Sequence, residues 1–216
     1  IIPLLDGLTD AAGRLQAANV ILRPEGKMIG HNTDGEGFIA SLREAGIQAG
    51  GKRITILGAG GAAKAVAYAL QDAGAAELRL VNRTPARAEA FAPALAAAGK
   101  ACVSVPALAG DPARFLEGAE ILVNATSVGL QPEAAPLFDY ASLRPPLVVT
   151  DLAVFPRETV FLRRARANGC RTLNGLGMLL HQAALSFQGW TGKVAPIPLM
   201  REQLEAALAE RERSGG

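Results

Sequence analysis

The run GAGGAAKA, opening at Gly58, restricts the fold of this chain more than any other stretch. It follows directly on RITIL (Arg53 to Leu57), a run of strand-forming residues. It leads into an alanine-rich segment that reads as a helix to about Ala73. Gly58, Gly60 and Ala63 satisfy the G-x-G-x-x-(G/A) spacing. In a chain with 24 glycines the spacing alone says little, and the strand–turn–helix context gives it meaning. There, Gly58 permits a tight turn, Gly60 lets the backbone approach a pyrophosphate, and Ala63 lets the helix pack close on the sheet. The free N–H groups of the first helical turn then face the phosphates. Gly58, Ala59, Gly60, Gly61 and Ala62 are thus a candidate dinucleotide loop, against the plain alternative of a glycine-rich turn without a ligand.

The pattern around this loop repeats. Strands are predicted at ELRLVN (Glu77 to Asn82), ACVSV, EILVNA (Glu120 to Ala125), PLVVTDLA and CRTL (Cys170 to Leu173). Helices are predicted from Pro85 to about Ala98, from Thr159 to Asn168, and near Met178 to Gln188 and Met200 to Arg211, with a helix or loop through Phe115. Strands alternating with helices predict a doubly wound parallel sheet, a Rossmann-like α/β fold. Upstream the pattern differs. Val20 to Leu22 and Met28 to Gly30 read as the arms of a hairpin turning at Pro24-Glu25-Gly26. From Thr33 the period becomes helical, with Phe38, Ile39, Leu42 and Ile47, and Gly46 and Gly50 close the segment. The expected organisation is a nucleotide-binding unit over 35–175 and the remnant of a second α/β, substrate-binding unit, formed by 1–34 and completed by 176–216.

Composition narrows the function classes. Half of the 216 residues are hydrophobic and the net charge is +2, which gives no ground for nucleic acid or an anionic membrane surface as partner. No apolar run approaches the roughly 20 residues that span a bilayer. The mixed charges near the C-terminus (Arg201, Glu202, Glu205, Glu210, Arg211) read as a solvated helix face. Cys102 and Cys170 stand too far apart for a metal motif, and two buried, reduced thiols in a cytoplasmic protein are expected; no metal site is predicted. The chain opens on IIPLLDGLTDAAG, apolar and without Met or a signal-peptide layout, which reads as a fragment or a processed chain.

Cofactor choice is read after the second strand of the sheet. An NAD site would place Asp or Glu there, about 20 residues beyond the glycines, to hold the ribose 2′-hydroxyl. This chain has Asn82, Arg83, Thr84 and Arg87. Two guanidinium groups and a hydroxyl suit a 2′-phosphate. Cations at a helix N-terminus oppose the macrodipole, so their placement gains sense if an anion binds. The expected cofactor is NADP, the alternative an exposed basic helix start.

A substrate beside the nicotinamide would meet loops at the strand C-termini: NATSVG (Asn124 to Gly129, with Thr126 and Ser127) and DLAVFP (Asp151 to Pro156). In NGLGMLLHQAALSFQGWTG (Asn174 to Gly192), Met178 and Gln182 share a helix face, beside an apolar stripe of Leu179, Ala183 and Phe187. Spacing alone leaves Gln182 open between ligand contact and solvent edge. In GHNTDGEGF, Asp34 stands where strand meets helix, either as a cap or as an acid.

In this order NTDGEGF, GAGGAAKA, NRTPAR, NATSVG and NGLGMLLHQAALSFQGWTG resemble shikimate dehydrogenase across essentially the whole chain. The resemblance implies NADP-dependent reduction of 3-dehydroshikimate to shikimate, in aromatic amino acid biosynthesis by way of chorismate, with a cleft between two lobes. It implies Asp34 as substrate-binding and catalytic aspartate, one half of a Lys–Asp pair, with Asn19 and Gln182 as further substrate contacts. It places Ala153 and Gly175 at cofactor contacts and Met178 near the nicotinamide. The partner is then a small cyclohexene carboxylate.

Two departures stand out. The family's catalytic Lys lies in an NVTIPHK-like stretch expected just before Ile1, and neither it nor an N-terminal Ser pair is among these residues. Phe155 replaces the usual substrate-facing Tyr before Pro, leaving quinate as well as shikimate open as substrate. A catalytically impaired NADP-binding fragment is the alternative of a different class. The nucleotide domain of glutamyl-tRNA reductase is a distant one that leaves Asn19 and Gln182 unexplained. Lys27, Lys64, His31 and His181 read as solvated or structural. Oligomeric state is open, a homodimer among the options.

Overall fold

The computed structural model describes residues 1–99, 101–128 and 135–213. The sheet predicted around the glycine loop is present, six-stranded and parallel throughout, in the order β6-β5-β4-β7-β8-β9. Its members are β4 (Arg53–Leu57), β5 (Glu77–Val81), β6 (Cys102–Ser104), β7 (Ile121–Asn124), β8 (Val148–Asp151) and β9 (Arg171–Leu173). Written from the first strand of this unit the order is 3-2-1-4-5-6, so the topology reverses beside β4, where the glycine loop leaves the sheet. Strand periodicity explains the layers. Ile54, Ile56, Ile121 and Val123 face one core with α3 (Gly61–Asp72) and α4 (Pro85–Ala97). Leu57, Leu122 and Val149 face the other, with Phe115 of the short α5 (Ala113–Leu116) and Phe161, Leu162 and Ala165 of α6 (Val160–Ala167).

The upstream region is a small mixed sheet. β2 (Val20–Leu22) and β3 (Ile29–His31) form the predicted antiparallel hairpin, and β1 (Gly7–Leu8) pairs parallel with β3. Between β1 and β2 runs α1 (Asp10–Leu15), capped by the Thr9 hydroxyl. Beyond the hairpin, α2 (Asp34–Glu44) lies between α3 and α7 (Leu176–Thr191), and α8 (Ile197–Arg213) ends the described chain.

The central position of α2 depends on small residues. A Cβ on Gly35 would stand 2.6 Å from the Ala65 carbonyl oxygen of α3, and one on Gly37 would stand 2.7 Å from the Gln182 backbone nitrogen of α7. Gly177 repeats this from the α7 side, 2.9 Å from the Ser41 side chain. Backbones this close leave no room for even a methyl group.

Three sequence expectations need correction. Cys102 is exposed, because β6 is the sheet edge; only Cys170 is buried. The buried apolar residues of α7 are Leu176, Leu180 and Ala184, one position round from Leu179, Ala183 and Phe187, while α2 meets α7 on another side, at Gly177, His181 and Gln182. The charges of α8 are not only a solvated face: Arg201 bonds Glu44 and Arg211 covers the Phe155 ring.

Candidate active site

The segment that ends β3 and starts α2 answers the question of Asp34. The Asp34 backbone N–H donates to the Asn32 side-chain oxygen (3.1 Å), so Asn32 supplies the turn at the helix start. Asp34 is the first residue inside α2, and its carboxylate is left for other work. Asn19, just before β2, turns its amide onto it. The Asn19 side-chain oxygen accepts from the Thr33 N–H (3.0 Å), which directs Nδ2 to Asp34 Oδ1 (2.8 Å). The same Nδ2 lies 3.4 Å from Gln182 Oε1 of α7. Asn19, Asp34 and Gln182, far apart in sequence, therefore converge.

Thr33 holds this cluster from beneath. It is fully buried, and its hydroxyl reaches Asn19 Nδ2 (3.1 Å), Gln182 Oε1 (3.4 Å) and Ser186 Oγ (3.4 Å). Ser186 also donates to the Gln182 carbonyl, one turn earlier. Replacing Thr33 by Val keeps the shape but leaves these groups without their hub. We expect a loss of about 1–3 kcal/mol in urea unfolding, the cost of orphaned buried polar groups. The KM for substrate should rise with it, while cofactor affinity stays unchanged. Burial pushes the Asp34 carboxyl above its ordinary value, partly offset by hydrogen bonds from the Asn19 and Asn32 side chains.

The residues expected on the cofactor side lie at the C-terminal ends of the parallel strands. Gly58 is buried with φ +116, and a Cβ there would stand 2.8 Å from the Ala125 carbonyl oxygen, so the protein itself requires glycine. Gly60 and Gly61 differ: a Cβ on either meets no protein atom within 4 Å. Their exposed edge, with Ala62, opens α3 without a side-chain cap. Glycine without a protein neighbour fits a loop that a pyrophosphate approaches from outside. Ala59 packs on the core and Ala63 is buried.

Next to this loop, the Asn82 amide donates to the Thr84 carbonyl (2.8 Å) and shapes the turn into α4. Arg83 and Arg87 are exposed, and neither side chain has a hydrogen bond or ion pair among the described residues. The first turn of α4 carries no acid to balance them. Two uncompensated guanidiniums at a helix start fit a 2′-phosphate.

At the far side of the loop Asp151 is almost fully buried. It accepts from the Thr159 hydroxyl (2.7 Å), the Asn124 amide (3.1 Å) and the Ala153 N–H (3.1 Å). Burial raises its carboxyl above the usual range. Asn124 in turn accepts from Thr126 Oγ1 (2.7 Å) and the Thr126 N–H, so the loop carrying Thr126 and Ser127 is tied to the loop carrying Ala153. Gly129, the last residue of NATSVG, lies outside the described residues. The Gly175 N–H donates to the Ala153 carbonyl (2.9 Å), placing these two side by side at the start of α7, with Met178 half-buried one turn on. The Phe155 ring faces away to Arg211 of α8, whose guanidinium carbon lies 4.2 Å from the ring centroid; among the described residues no aromatic or cation–π contact joins it to the Asn19–Asp34–Gln182 cluster.

The remaining polar residues read from sequence are structural or solvated. His181 meets Glu44 (3.1 Å), which also bonds Arg201, so α2, α7 and α8 are joined. His31 is half-buried and bonded to Thr9 (2.9 Å), not free on the hairpin. Lys64 lies over the Phe91 ring and Lys27 is exposed. Sequence reading missed Thr33, Asn32 and Ser186 as site residues. Asn32 and Thr33 stood beside Asp34 in the same motif, and Ser186 lies four residues past Gln182, on the same helix face.

Residues 41–159 match the family model described as shikimate / quinate 5-dehydrogenase, and residues 175–205 match the shikimate 5′-dehydrogenase C-terminal domain. Shikimate dehydrogenase (NADP(+)) of Moorella thermoacetica is 46% identical over 220 aligned residues, covering all of this chain and 73% of that protein. The chain belongs to the shikimate dehydrogenase family. Among solved structures of similar fold, shikimate 5-dehydrogenase from Listeria monocytogenes, in complex with shikimate and NAD, superposes with a TM-score of 0.89 at 36% identity. That match covers 94% of this chain and 73% of the other. Ligand-free 5-ketofructose reductase of Gluconobacter sp. strain CHM43 gives 0.86 at 41% identity, covering 95% and 74%. Solved proteins of this family thus share this chain's fold. Among the described residues no helix is long and apolar enough to cross a membrane, and no cluster suited to a metal ion occurs.

Proposed function

We propose that this protein is an NADP-dependent shikimate dehydrogenase, interconverting 3-dehydroshikimate and shikimate. The observation that carries the reading is the convergence of Asn19, Asp34 and Gln182 at the start of α2, a helix packed through Gly35 on α3, together with a glycine loop before α3 whose Gly60 and Gly61 have no protein reason to be glycine. Bound NADP supplies the hydride or takes it up. The chain's own residues do the rest. The amides of Asn19 and Gln182 and the Asp34 carboxylate present donors and acceptors to the hydroxyls of a cyclohexene carboxylate. Asp34 serves the oxygen whose proton moves with the hydride, as one half of the family's Lys–Asp pair.

For the cofactor we assign Gly58 to Ala62 to the pyrophosphate, Asn82, Arg83, Thr84 and Arg87 to the adenosine phosphate, and Thr126, Ser127, Ala153, Gly175 and Met178 to the nicotinamide side. Phe155 is assigned to the substrate side of the cleft. In this reading residues 35–175 form the cofactor unit, and 1–34 with 176–216 contribute to the substrate unit. A cytoplasmic location agrees with two unpaired cysteines. A homodimer is the assembly that light scattering would test.

The cofactor assignment has a sharp test. In Arg83→Ala the KM for NADP should rise about tenfold or more, as expected when a charge-assisted contact worth about 1.5–3 kcal/mol is lost. The KM for NAD, which has no 2′-phosphate, should stay nearly constant. Equal rises for both cofactors would defeat the clamp. Absence of shikimate oxidation with either cofactor in the wild-type protein would defeat the functional reading.

A further inference from the structure

We propose that the last two turns of α8 strap down the 155–157 loop, with Arg211, Arg157 and Glu212 as positioning residues for the substrate side of the cleft. This rests on the assignment of Phe155 to that side. Neighbouring positions on the loop meet neighbouring positions on the helix. The Arg211 guanidinium carbon lies 4.2 Å from the Phe155 ring centroid, well within cation–π range. A phenylalanine has no hydroxyl to anchor it, so a cation on its face is a polar contact it can still make. Arg157 Nε lies 3.3 Å from Glu212 Oε1, and Arg157 Nη2 donates to the Glu205 carbonyl (3.0 Å). One arginine thus grips α8 at two points two turns apart.

The inner side of the loop is fixed separately. The Arg157 carbonyl accepts from Asn174 Nδ2 (3.0 Å), and the Ala153 carbonyl accepts from Gly175. Asp151 anchors the loop's origin. What these bonds leave loose is the segment that carries Phe155, and α8 covers it. The other end of α8 is held by Arg201 on Glu44, which also bonds His181. The helix therefore runs from the support of the Asp34–Gln182 cluster to the loop opposite. Arg211 and Glu212 lie beyond the 175–205 match to the family's C-terminal domain. Part-exposed ion pairs add little to global stability, so the strap should show in loop position rather than in folding.

The test uses Arg211→Ala, Glu212→Ala and the charge swap Arg157→Glu with Glu212→Arg. A fluorescence arm carries Phe155→Trp with the sole native tryptophan removed by Trp190→Phe. Each single variant should raise the KM for shikimate about three- to tenfold, with the KM for NADP changed less than about twofold, and the swap should recover most of the loss. Arg211→Ala should also shift the tryptophan emission to the red as the ring loses its cover. Unchanged KM values in both single variants, or equal rises in both KM values without recovery in the swap, would overturn the strap. If the wild-type protein does not oxidise shikimate, the functional reading fails, and the emission alone then decides: a red shift supports the strap and a constant spectrum overturns it.

Discussion

Replacing Asp34 by Asn is expected to lower kcat/KM for shikimate oxidation by about 10²- to 10⁴-fold, the usual range for a positioned acid–base group. The substituted amide would still accept the Asn19 hydrogen bond through its side-chain oxygen, so the cluster keeps its shape while the charge is gone. Stability should respond in the opposite sense. The folded-state pKa of Asp34 is raised above the unfolded value near 3.8, mainly by burial. A raised carboxyl stabilises the fold fully below 3.8, and that contribution is lost as pH rises through the folded value. At neutral pH the charged carboxylate is therefore a cost, and Asp34→Asn should melt at the same temperature or higher. The stability difference between the two proteins should vanish toward acid pH. Activity in the wild type should begin to fall, on acidification, at a pH above the ordinary carboxylate range. A variant that loses activity and stability together at pH 7 would show that Asp34 is structural.

Replacing Gly37 by Ala should have the complementary effect. Its Cβ would meet the Gln182 backbone nitrogen at 2.7 Å, and neither helix has a flexible side chain there to move aside. Overpacking of this kind costs about 1–3 kcal/mol. That should lower Tm by roughly 2–12 °C, taking about 2–4 °C per kcal/mol for a chain of this length. Because α7 must shift, Gln182 should leave Asn19 and Thr33, and the KM for shikimate should rise with NADP affinity nearly intact. Calorimetry and steady-state kinetics check the two halves. An alanine variant with wild-type Tm would mean that the helices have slack at this crossing.

These two positions also mark how far the sequence could be read. The parallel sheet was legible because periodicity and glycine spacing are local signals: β4 begins and ends where RITIL does, and α4 begins at the expected Pro85. The glycine turn between β4 and α3 was legible for the same reason. The assignment of Asp34 and Gln182 to substrate came from resemblance, since they are brought together through Asn19 Nδ2 across 148 residues of sequence, a tertiary event. Periodicity put the α7 stripe one position off, because α7 carries apolar residues on nearly every side (Met178, Leu179, Leu180, Ala183, Ala184 and Leu185) and only tertiary packing chooses which of them are covered. Cys102 was misplaced because strand order decides which strand lies at the edge, and no local pattern encodes that. The contact of Arg211 with Phe155 joins positions 56 apart, and nothing in either neighbourhood announces it.

Gly35 and Gly37 have a consequence for how such an enzyme can change. They are two residues apart on one helix, and each is occluded by a different neighbour, α3 on one side and α7 on the other. The helix bearing Asp34 is thus a gauge block between the helix that opens the glycine loop and the helix that carries Gln182. Its thickness is set by the absence of side chains, so mutation can only add to it. In a protein built this way the spacing of α3, α2 and α7 already stands at its minimum, so sequence change elsewhere leaves the position of the helix that carries Asp34 untouched.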